Sequence, residues 1–436
     1  MNPIIKNQKK ILEKLSIEKL NAMQEEARSV IHSSADVVLL SPTGTGKTLA
    51  YLLPIVSELD RLSIEVQALI VVPSRELAIQ IEQVTREMGA GIKANAVYGG
   101  RSFGKDKTEL KHRPAILIGT PGRIADHLRN QTFSTEKITR LVLDEFDKSL
   151  EIGFEAEMIE IIEALSSVKK RLLTSATFEV EIPDFVGLKE PKTINYLTDT
   201  SPQLQIKTVI SPSKNKLETL VRLISHIGDA PGIIFCNFKD TIQDVSDFLT
   251  ENQISHGCFF GGMEQKDRER ALIKFRNGTY PIMVATDLAA RGLDIPEIKF
   301  IIHFQLPNRE HEFIHRNGRT ARMFSDGTAY VIKSEQENLP DFVHSDATET
   351  LKDVIIPLTS NWGTVFISGG RKDKISKGDI AGLFFKQGQL DASEVGVIEI
   401  KLDCAFVSVK ANKIDQLIKR VDTTKLKNKK IRVFTI

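Results

Sequence analysis

The sequence predicts an α/β protein in which two tandem domains built on parallel sheets precede a small α+β domain. Three observations predict this organisation. Short apolar runs alternate with longer amphipathic stretches, this alternation is interrupted twice by polar segments that contain proline, and the last 75 residues differ from the rest in charge. Buried strands separated by amphipathic helices are typical of parallel sheets covered by helices on both faces.

The first α/β domain is predicted over residues 1–200. Each apolar run is short enough for a buried strand, and each following stretch is long enough for a helix. Its predicted strands are Val37–Leu40, Ala68–Val72, Ala94–Tyr98, Ala115–Ile118, Leu141–Leu143 and Arg171–Thr174.

The second α/β domain is predicted over residues 205–338, after a polar stretch that contains Pro202. A second polar and poorly periodic segment, residues 339–361 with Pro340 and Pro357, is predicted to be a linker. The predicted strands of the second domain are Ile206–Ile210, Gly232–Cys236, Ser255–Phe259, Ile282–Ala285, Phe300–Phe304 and Gly327–Ile332.

The C-terminal domain is predicted over residues 362–436. Strands are expected at Thr364–Ser368, Val397–Ile400, Cys404–Val409 and Ile431–Phe434, with one helix starting near Gly378 and another near Lys413–Val421. The order β-α-β-β-α-β is that of the RNA-recognition-motif (RRM) fold.

Composition restricts the functional class. With 436 residues, 41% hydrophobic and 27% charged, the chain is ordinary for a globular protein of two or three domains. It has no apolar run long enough to span a bilayer and no signal-peptide core near Met1, so we expect a cytoplasmic protein without a membrane partner. Cys236, Cys258 and Cys404 are far apart and predict neither disulfides nor a zinc site.

Basic charge is concentrated in the C-terminal domain. Residues 362–436 carry 15 lysines and arginines against 8 acidic residues, whereas the rest of the chain is net acidic although the whole chain is +2. Local basic excess indicates a polyanionic partner, with a merely solvated lysine-rich surface as the alternative.

A phosphate-binding loop is predicted at residues 41–48, Ser-Pro-Thr-Gly-Thr-Gly-Lys-Thr. Glycines allow backbone N–H groups to turn towards phosphate oxygens, a lysine supplies a cation for the β and γ phosphates, and a following threonine offers a hydroxyl to Mg²⁺. Ser41 replaces the first glycine of the usual pattern. The predicted nucleotide ligands are Thr43, Gly44, Thr45, Gly46, Lys47 and Thr48.

Acidic residues follow the buried strand Leu141–Leu143. Asp144 can hold Mg²⁺ directly or through water, and Glu145 can orient the attacking water. The phosphate loop and this acidic pair, in this order along the chain, predict nucleoside triphosphate hydrolysis with Mg²⁺ as the metal and no other cofactor.

Together the motifs resemble those of the DEAD-box RNA helicases, and the resemblance runs through nearly the whole chain in family order. It implies two tandem RecA-like P-loop domains, ATP as the nucleotide, and RNA as the partner. The matching segments are Ile17–Gln24, the phosphate loop, 73–78 (Pro-Ser-Arg-Glu-Leu-Ala), Gly99–Gly100, 120–123 (Thr-Pro-Gly-Arg), Asp144–Asp147, 175–177 (Ser-Ala-Thr), 233–237, Gln265 with Arg268, 285–294 and 315–322.

The resemblance implies roles around the nucleotide. Gln24 would read adenine and Asp294 would contact the ribose. Arg319 and Arg322, expected near a helix start, would be arginine fingers that stabilise charge on the transferred phosphoryl group. Residues implied to couple the nucleotide site to RNA are Asp147, Ser175, Thr177 and His315.

The implied RNA track consists of loops rich in hydroxyl groups, glycine and arginine. Such groups hold a strand by its phosphates without reading sequence. The family separates short duplexes by bending one strand and does not translocate. The track residues implied by the resemblance are Ser74, Arg75, Gly99, Gly100, Thr120, Gly122, Arg123 and Thr286.

The chain departs from the family pattern at several positions. Phe146 replaces the alanine of the name motif and would add bulk behind the catalytic site, Ser74 replaces a threonine, and Asn7 and Ile17 stand where aromatic residues often occur. An active ATPase is still expected, because Asp144, Glu145 and Asp147 are present. The departures at Asn7 and Ile17 concern the preference for adenine and not hydrolysis.

The C-terminal domain resembles the RNA-binding domain of the DbpA type within this family. The shared stretch is Gly-Gly-Arg-Lys-Asp-Lys at residues 369–374, and Arg371, Lys372 and Lys374 are predicted to bind RNA. Phe366 and Phe406 offer the alternative of base stacking on the sheet. A basic protein-interaction domain is a further alternative. The resemblance implies large-subunit ribosomal RNA as target, in a pre-ribosomal particle, and we expect a monomer.

Three functions compete at this point. The leading hypothesis is an ATP-dependent RNA helicase whose tail anchors it to structured RNA. An ATP-gated RNA clamp or scaffold with little unwinding is kept open by Phe146. A DNA helicase is disfavoured, because residues 74–78 and 315–322 match the RNA family.

Overall fold

The computed structural model describes residues 3–42, 44–151, 153–176, 182–197, 204–287, 298–320, 327–352 and 355–436. These residues form two compact units, which divide near residue 202. Thr43, Thr177, Asp294 and Arg322, four of the predicted site residues, lie outside the described ranges.

The first unit is the first α/β domain, whose described residues form a parallel sheet of seven strands in the order β3-β4-β2-β5-β6-β1-β7. Six of the seven strands match the sequence prediction closely; β7 was not predicted. The strands are β1 (Asp36–Leu40), β2 (Ala68–Val71), β3 (Ala94–Val97), β4 (Ile116–Gly119), β5 (Arg140–Leu143), β6 (Lys170–Ser175) and β7 (Lys192–Asn195).

Helices cover both faces of this sheet. Alternate residues of β1 show why, since Val37 and Leu39 pack in one hydrophobic cluster and Val38 and Leu40 pack in the other. The helices are α1 (Pro3–Lys14), α2 (Ala22–Ser33), α3 (Lys47–Glu58), α4 (Arg75–Glu87), α5 (Phe103–Leu110), α6 (Pro121–Arg129), α7 (Phe146–Glu151) and α8 (Glu155–Glu163).

The second unit contains the second α/β domain, in which the described residues again form seven parallel strands, ordered β10-β11-β9-β12-β13-β8-β14. The strands are β8 (Leu204–Ser211), β9 (Gly232–Phe235), β10 (His256–Phe259), β11 (Ile282–Ala285), β12 (Phe300–His303), β13 (Gly327–Ser334) and β14 (Ala347–Thr348). Its described helices are α9 (Leu217–Ile227), α10 (Lys239–Glu251), α11 (Gln265–Arg276) and α12 (Glu310–Asn317).

The segment predicted as a linker lies along this second domain. Its β14 pairs with β8, Glu349 accepts from Lys207 Nζ at 2.7 Å, and Val343 is buried with Phe313. Near its end, Leu358 O accepts from Ser255 N at 2.7 Å. These contacts hold much of the segment against the domain.

The C-terminal domain has the predicted β-α-β-β-α-β order, with an added short hairpin before the last strand. Its main sheet is antiparallel in the order β16-β17-β15-β20, with both helices on one face. The elements are β15 (Trp362–Ile367), α13 (Lys377–Lys386), β16 (Val395–Ile400), β17 (Ala405–Lys410), α14 (Ile414–Val421), β18 (Lys425–Leu426), β19 (Lys429–Lys430) and β20 (Val433–Thr435).

The topology of the first sheet determines where the loops with the predicted site residues lie. In a parallel sheet, the loops at the carboxyl ends of the strands share one edge. In the first domain that edge carries the loops after β1, β2, β3, β4, β5 and β6, and among the described residues it gathers all the predicted site residues of that domain except Gln24. Within the described residues, no helix combines the length and the apolar character that crossing a bilayer requires.

Candidate nucleotide and RNA sites

The phosphate loop connects β1 to α3, and α3 begins at Lys47. Gly44 and Gly46 have φ angles of 83° and 85°, a left-handed conformation that glycine adopts without steric cost. A Cβ atom at Gly46 would also overlap Gln24 Nε2. The loop therefore ends at a helix N-terminus, where unsatisfied N–H groups bind anions.

Hydroxyl groups give this loop its shape. Ser41 Oγ donates to Thr45 Oγ1 at 2.8 Å, and Thr45 Oγ1 donates to Pro42 O at 2.9 Å. Lys47 Nζ donates to Ser41 O at 2.6 Å and to Pro42 O at 2.8 Å. Ser41, the departure from the usual glycine, thus has a defined role as an anchor of the loop.

Gln24 lies against the phosphate loop, although it is distant in sequence. Asn21 caps α2, because its Oδ1 accepts from Gln24 N while Gln24 Oε1 accepts from Asn21 N. Asn21 Nδ2 donates to Thr45 O at 3.0 Å, and Gln24 Nε2 donates to Gly46 O at 3.3 Å. The start of α2 and the phosphate loop are therefore one hydrogen-bonded unit.

Asp144 follows β5 and is 3% exposed. Thr174 Oγ1 donates to Asp144 Oδ1 at 2.5 Å, and Tyr51 Oη donates to Asp144 Oδ2 at 2.8 Å. Burial, and then the nearby Asp144 carboxylate, raise the pKa of Tyr51 well above its usual value. Tyr51 and Thr174 were not among the predicted site residues; each is a hydroxyl residue within four positions of a predicted motif residue.

Glu145 has a φ of 48°, which is uncommon for a residue with a side chain. Its N–H donates to Thr174 Oγ1 at 3.1 Å. Strained backbone of this kind is concentrated at functional sites, where the surrounding structure holds it in place.

Phe146 is 1% exposed and packs in the hydrophobic cluster that includes Leu143 and Met158. Its bulk lies in the core and leaves the hydrogen bonds of Asp144 intact. Asp147 is paired with Lys148 Nζ at 3.2 Å, and Ser175 O accepts from Ser41 N at 3.1 Å. The backbone of Ser175 therefore joins the end of β6 to the phosphate loop.

The donor set suits a cation that is bound mainly through phosphate and water. Thr48 and Asp144 present a hydroxyl and a buried carboxylate near the phosphate loop. Among the described residues there is no cluster of three or more His, Cys, Asp or Glu side chains. Mg²⁺ is bound in this manner in nucleotide sites, by few protein ligands plus phosphates, so the residues present fit it.

The predicted RNA track of the first domain also comes together. Ser74 caps α4, its Oγ accepting from Leu77 N at 3.2 Å. The Arg75 guanidinium lies against Gly100, where a Cβ atom would overlap its Nη1. Gly122, in the first turn of α6, has open space around its Cα.

The Arg123 guanidinium lies against the glycine loop at residues 99–100, and its predicted contact with RNA stays a prediction. Its side chain is only 10% exposed, and its guanidinium donates to Tyr98 O at 3.1 Å and to Arg101 O. These carbonyls flank Gly99 and Gly100, so Arg123 holds the glycine loop in shape. Beneath it, buried Asp106 lies 3.1 Å from Arg101 Nε and 3.4 Å from His127 Nε2. Sequence reasoning missed this network, which carries no motif.

In the second domain, Arg316 is the central charged residue and is 1% exposed. It donates to both carboxylate oxygens of Asp287, to Asn237 Oδ1 and to Gln305 O. Its guanidinium carbon lies 5.0 Å from the ring centroid of Phe235. A single buried arginine therefore joins the loops after β9, β11 and β12.

Arg319 lies two residues after α12 ends at Asn317, so the expectation of a helix start is wrong for this arginine. Arg319 and His315 are both buried, at 5% and 9% exposure, and Arg319 N donates to Arg316 O at 3.0 Å.

Thr286, the predicted RNA contact of the second domain, follows β11, and its N–H donates to Phe259 O at 3.3 Å.

The basic loop of the C-terminal domain, residues 369–374, is rigidly held. Arg371 N donates to Lys401 O at 3.0 Å and Lys372 N donates to Leu402 O at 2.8 Å. Lys429 Nζ, 2.8 Å from Asp373 Oδ2, lowers the pKa of that carboxyl. The side chains of Arg371, Lys372 and Lys374 are exposed and project from this fixed backbone.

The open face of the C-terminal sheet packs in part on the second α/β domain. Asn277 Nδ2 donates to Thr364 Oγ1 at 2.8 Å, and Ser408 Oγ donates to Asn277 O at 2.8 Å. Arg276 forms a bidentate pair with Glu399. Thr364 and Ser408 are thereby buried, so this part of the sheet contacts protein.

Aromatic residues occupy the rest of that face. Phe366 lies 5.5 Å from Phe406 and 4.8 Å from Phe434 between ring centroids. Phe406 is 7% exposed, whereas Phe434, which the sequence analysis did not single out as aromatic, is 41% exposed. The area available for base stacking is correspondingly small.

Comparison with known families gives matches along the chain. The DEAD/DEAH box helicase family matches residues 21–185, the helicase conserved C-terminal domain matches residues 215–324, and the DbpA RNA binding domain matches residues 364–434. All three matches fall within the domains described above.

Similar proteins cover almost the whole chain. It is 32% identical over 428 residues to the ATP-dependent RNA helicase DbpA of Escherichia coli (strain K12), covering 95% of this chain and 94% of that protein. It is 30% identical to the ATP-dependent RNA helicase DbpA of Bacillus subtilis (strain 168), with 91% of each chain covered.

Solved structures agree with the two α/β domains. S. cerevisiae Dbp5 bound to RNA and ADP BeF3 has 25% identity and a TM-score of 0.68, covering 77% of this chain and 88% of that chain. Mss116p bound to ssRNA and AMP-PNP has 27% identity and the same TM-score, covering 76% and 72%. The fold prediction is thus confirmed, and the chain belongs to the DEAD-box ATP-dependent RNA helicases, with a C-terminal RNA-binding domain of the DbpA type.

Proposed function

We propose that this helicase remodels structured RNA of the large ribosomal subunit during ribosome assembly. The basic loop of the C-terminal domain is the anchor, and the two α/β domains open duplexes near the anchored site. The names of the E. coli and B. subtilis relatives support the helicase type, and ribosomal RNA is what the resemblance to the DbpA type implies. Such a role would place the protein in the cytoplasm.

The observation that carries this proposal is the fixed presentation of three cations. Arg371, Lys372 and Lys374 extend from a loop that is hydrogen-bonded to the β16–β17 connection. Cations on a fixed backbone match one arrangement of phosphates better than cations on a flexible tail do, because less loop entropy is lost on binding. A folded RNA, whose phosphates are themselves fixed, is the ligand that such a loop suits.

Docking of the C-terminal domain supports the same proposal. The pairs Asn277–Thr364 and Arg276–Glu399 attach this domain to the end of α11. Since both are parts of one compact unit, an RNA held by the basic loop is held at a defined place relative to the second α/β domain.

In the nucleotide site, we assign Thr48 and Asp144 to Mg²⁺. These two residues would hold the ion, and the chemistry that it would supply is neutralisation of the negative charge that develops during phosphoryl transfer. Lys47 binds the β and γ phosphates, Glu145 orients the attacking water, and Gln24 contacts the base. Arg319, and Arg322 outside the described residues, supply positive charge to the transition state from the second domain.

The test compares ATPase stimulation by large-subunit ribosomal RNA and by an unstructured homopolymer. The variant carries Arg371→Ala, Lys372→Ala and Lys374→Ala in the full-length chain. Its charge-matched control carries Lys386→Ala, Lys419→Ala and Lys425→Ala, three exposed lysines elsewhere in the same domain. Point variants are preferable to truncation, because truncation would uncover Asn277 and Arg276.

We expect the loop variant alone to lose the preference for ribosomal RNA over homopolymer. Ribosomal RNA should stimulate the native chain and the control at lower concentration than homopolymer does, and the loop variant should lose that advantage. If the three proteins respond equally to both RNAs, the loop is not an anchor and the proposed target is wrong.

A further inference from the structure

Both carboxylate oxygens of Asp144 are engaged by hydroxyl groups that lie outside the family motifs. Thr174 Oγ1 is 2.5 Å from Oδ1, and Tyr51 Oη is 2.8 Å from Oδ2. Hydrogen bonds from a hydroxyl to an ionised acceptor are about twice as strong as neutral ones. With two of them, the Asp144 carboxylate is fixed in position and in rotation about its Cβ–Cγ bond.

Tyr51 also lies beside the second residue assigned to Mg²⁺. Thr48 precedes it by three positions in α3, so the two side chains share one face of that helix. The Tyr51 hydroxyl donates to Asp144 and so links that helix face to the carboxylate. A phenylalanine ring would fill the same space, and Tyr51 is completely buried, so its hydroxyl needs a reason beyond packing.

Thr174 connects Asp144, the proposed metal ligand, to Glu145, the residue proposed to orient the attacking water. Its hydroxyl donates to Asp144 and accepts from Glu145 N–H, the backbone group of the residue held at φ 48°. A single atom that both donates and accepts is required there. Valine has nearly the same shape and can do neither.

We propose that Tyr51 and Thr174 are positioning residues for ATP hydrolysis. They form a hydrogen-bonded chain, Tyr51–Asp144–Thr174–Glu145, that sets the geometry of the Asp144 carboxylate and of the water-orienting glutamate before nucleotide binds. The inference rests on the proposed Mg²⁺ site, and it extends the site by two residues that touch neither substrate nor metal.

A purely structural role makes a different prediction. If the two hydroxyls only satisfied buried polar groups, their loss would lower stability and leave the affinity for a divalent cation unchanged. If they position ligands, cation affinity falls even when the protein remains folded. The decisive readout is therefore metal binding, measured apart from turnover.

The experiment uses Mn²⁺ as a paramagnetic probe of the cation site. Free Mn²⁺ is measured by electron paramagnetic resonance in the presence of protein and ADP, and ADP binding is measured separately in EDTA. The variants are Tyr51→Phe, Thr174→Val and the conservative Thr174→Ser. Two matched controls each remove one hydroxyl elsewhere in the first domain, Thr85→Val (Oγ1 to Ile81 O, 2.8 Å) and Tyr196→Phe (Oη to Glu26 Oε2, 2.7 Å).

For Tyr51→Phe and Thr174→Val, we expect the Mn²⁺ dissociation constant in the presence of ADP to rise about tenfold, the size of effect typical of one lost hydrogen bond to a charged group. Binding of ADP in EDTA should be unchanged, which also shows that the variants are folded. Thr174→Val should lower kcat more than Tyr51→Phe does, because only Thr174 contacts Glu145. Thr174→Ser and both controls should bind Mn²⁺ as the native chain does.

Two outcomes would overturn the inference or its premise, and they are distinguishable. If Tyr51→Phe and Thr174→Val bind Mn²⁺ as tightly as the native chain does, the hydroxyls are not positioning groups. If the native chain with ADP binds no Mn²⁺, the proposed metal site itself is wrong. Should Thr174→Val not fold, Tyr51→Phe decides the question, because it removes the other hydroxyl bond to Asp144.

Discussion

The two α/β domains have the same strand order, but the loops at equivalent places carry different chemistry. Strand β1 is followed by the glycine-containing phosphate loop, whereas its equivalent β8 is followed by residues 212–216, Pro-Ser-Lys-Asn-Lys, without glycine. Strand β5 is followed by Asp144, whereas its equivalent β12 is followed by Phe304, which packs in the core.

This difference shows how one architecture serves two tasks. The sheet fixes where loops converge, and the residues in the loops decide what can bind there. The first domain gathers a phosphate loop and acids, which suit a nucleotide with its metal. In the second domain, Arg316 pairs with Asp287, and the Arg316 carbonyl oxygen accepts from Arg319 N, so the backbone at Arg319 is attached to a buried ion pair.

Lys47→Ala should give the largest effect, because it removes the cation expected at the β and γ phosphates. We expect ATP affinity to fall about a thousandfold, as if two charge-assisted hydrogen bonds were lost. Titration with a fluorescent ATP analogue measures it. The control is Lys216→Ala, which changes the lysine just before α9, the equivalent of α3. Equal losses in both variants would contradict the assignment of nucleotide binding to the first domain.

Arg316→Gln should destabilise the second domain. Removing the arginine leaves Asp287 without its charged partner, and breaking a buried ion pair of this kind costs about 3–5 kcal/mol. Urea unfolding followed by Trp362, the single tryptophan of the chain, reports on this unit. The matched control, Lys207→Gln in the same unit, breaks the more exposed pair with Glu349 and should cost less. If the two losses are similar, Arg316 is not the organising residue inferred here.

Phe146→Ala tests whether the phenylalanine that replaces the family's alanine at this position contributes to packing of the core. Because Phe146 is fully buried, truncation should cost about 3 kcal/mol through the cavity it leaves. Thermal unfolding of the nucleotide-bound and free protein measures this cost. A variant that is as stable as the native chain but unwinds RNA faster would show instead that Phe146 limits coupling, as the clamp hypothesis requires.

The smallest of these effects is expected from the pH dependence of stability that His303 contributes. Burial, and then the nearby Arg316 cation, lower its pKa to about 3, so the folded state holds it neutral. Its contribution to stability is therefore complete above the unfolded pKa of about 6.5 and is lost as pH falls towards 3. Its imidazole NMR resonances should stay constant between pH 8 and 5. Titration near 6.5 would contradict the buried environment.

The strands were predictable because buried parallel strands are continuous apolar runs. Twelve predicted strands of the two α/β domains were found, but β7 and β14 were missed. Both lie at sheet edges, and the residues Lys192, Thr193 and Asn195 of β7 are exposed, so their sequence has no apolar run.

The candidate sites were partly predictable. Gln24, Lys47 and Asp144 belong to motifs whose spacing has a physical meaning, and the fold brings them to one region. Tyr51, Thr174 and Asn277 were not predictable, because each acts through a partner far away in sequence. The predicted phosphate contact of Arg123 stays a prediction, although its guanidinium supports the glycine loop.

In the proposed function, the first domain binds ATP while the second supplies positive charge for hydrolysis. The most direct measurement is ATP binding and RNA-stimulated turnover of Arg319→Ala in the full-length chain. We expect nearly native ATP affinity and a fall in turnover of about a thousandfold, the lower end of the effect of an arginine finger. Native turnover by Arg319→Ala would contradict it.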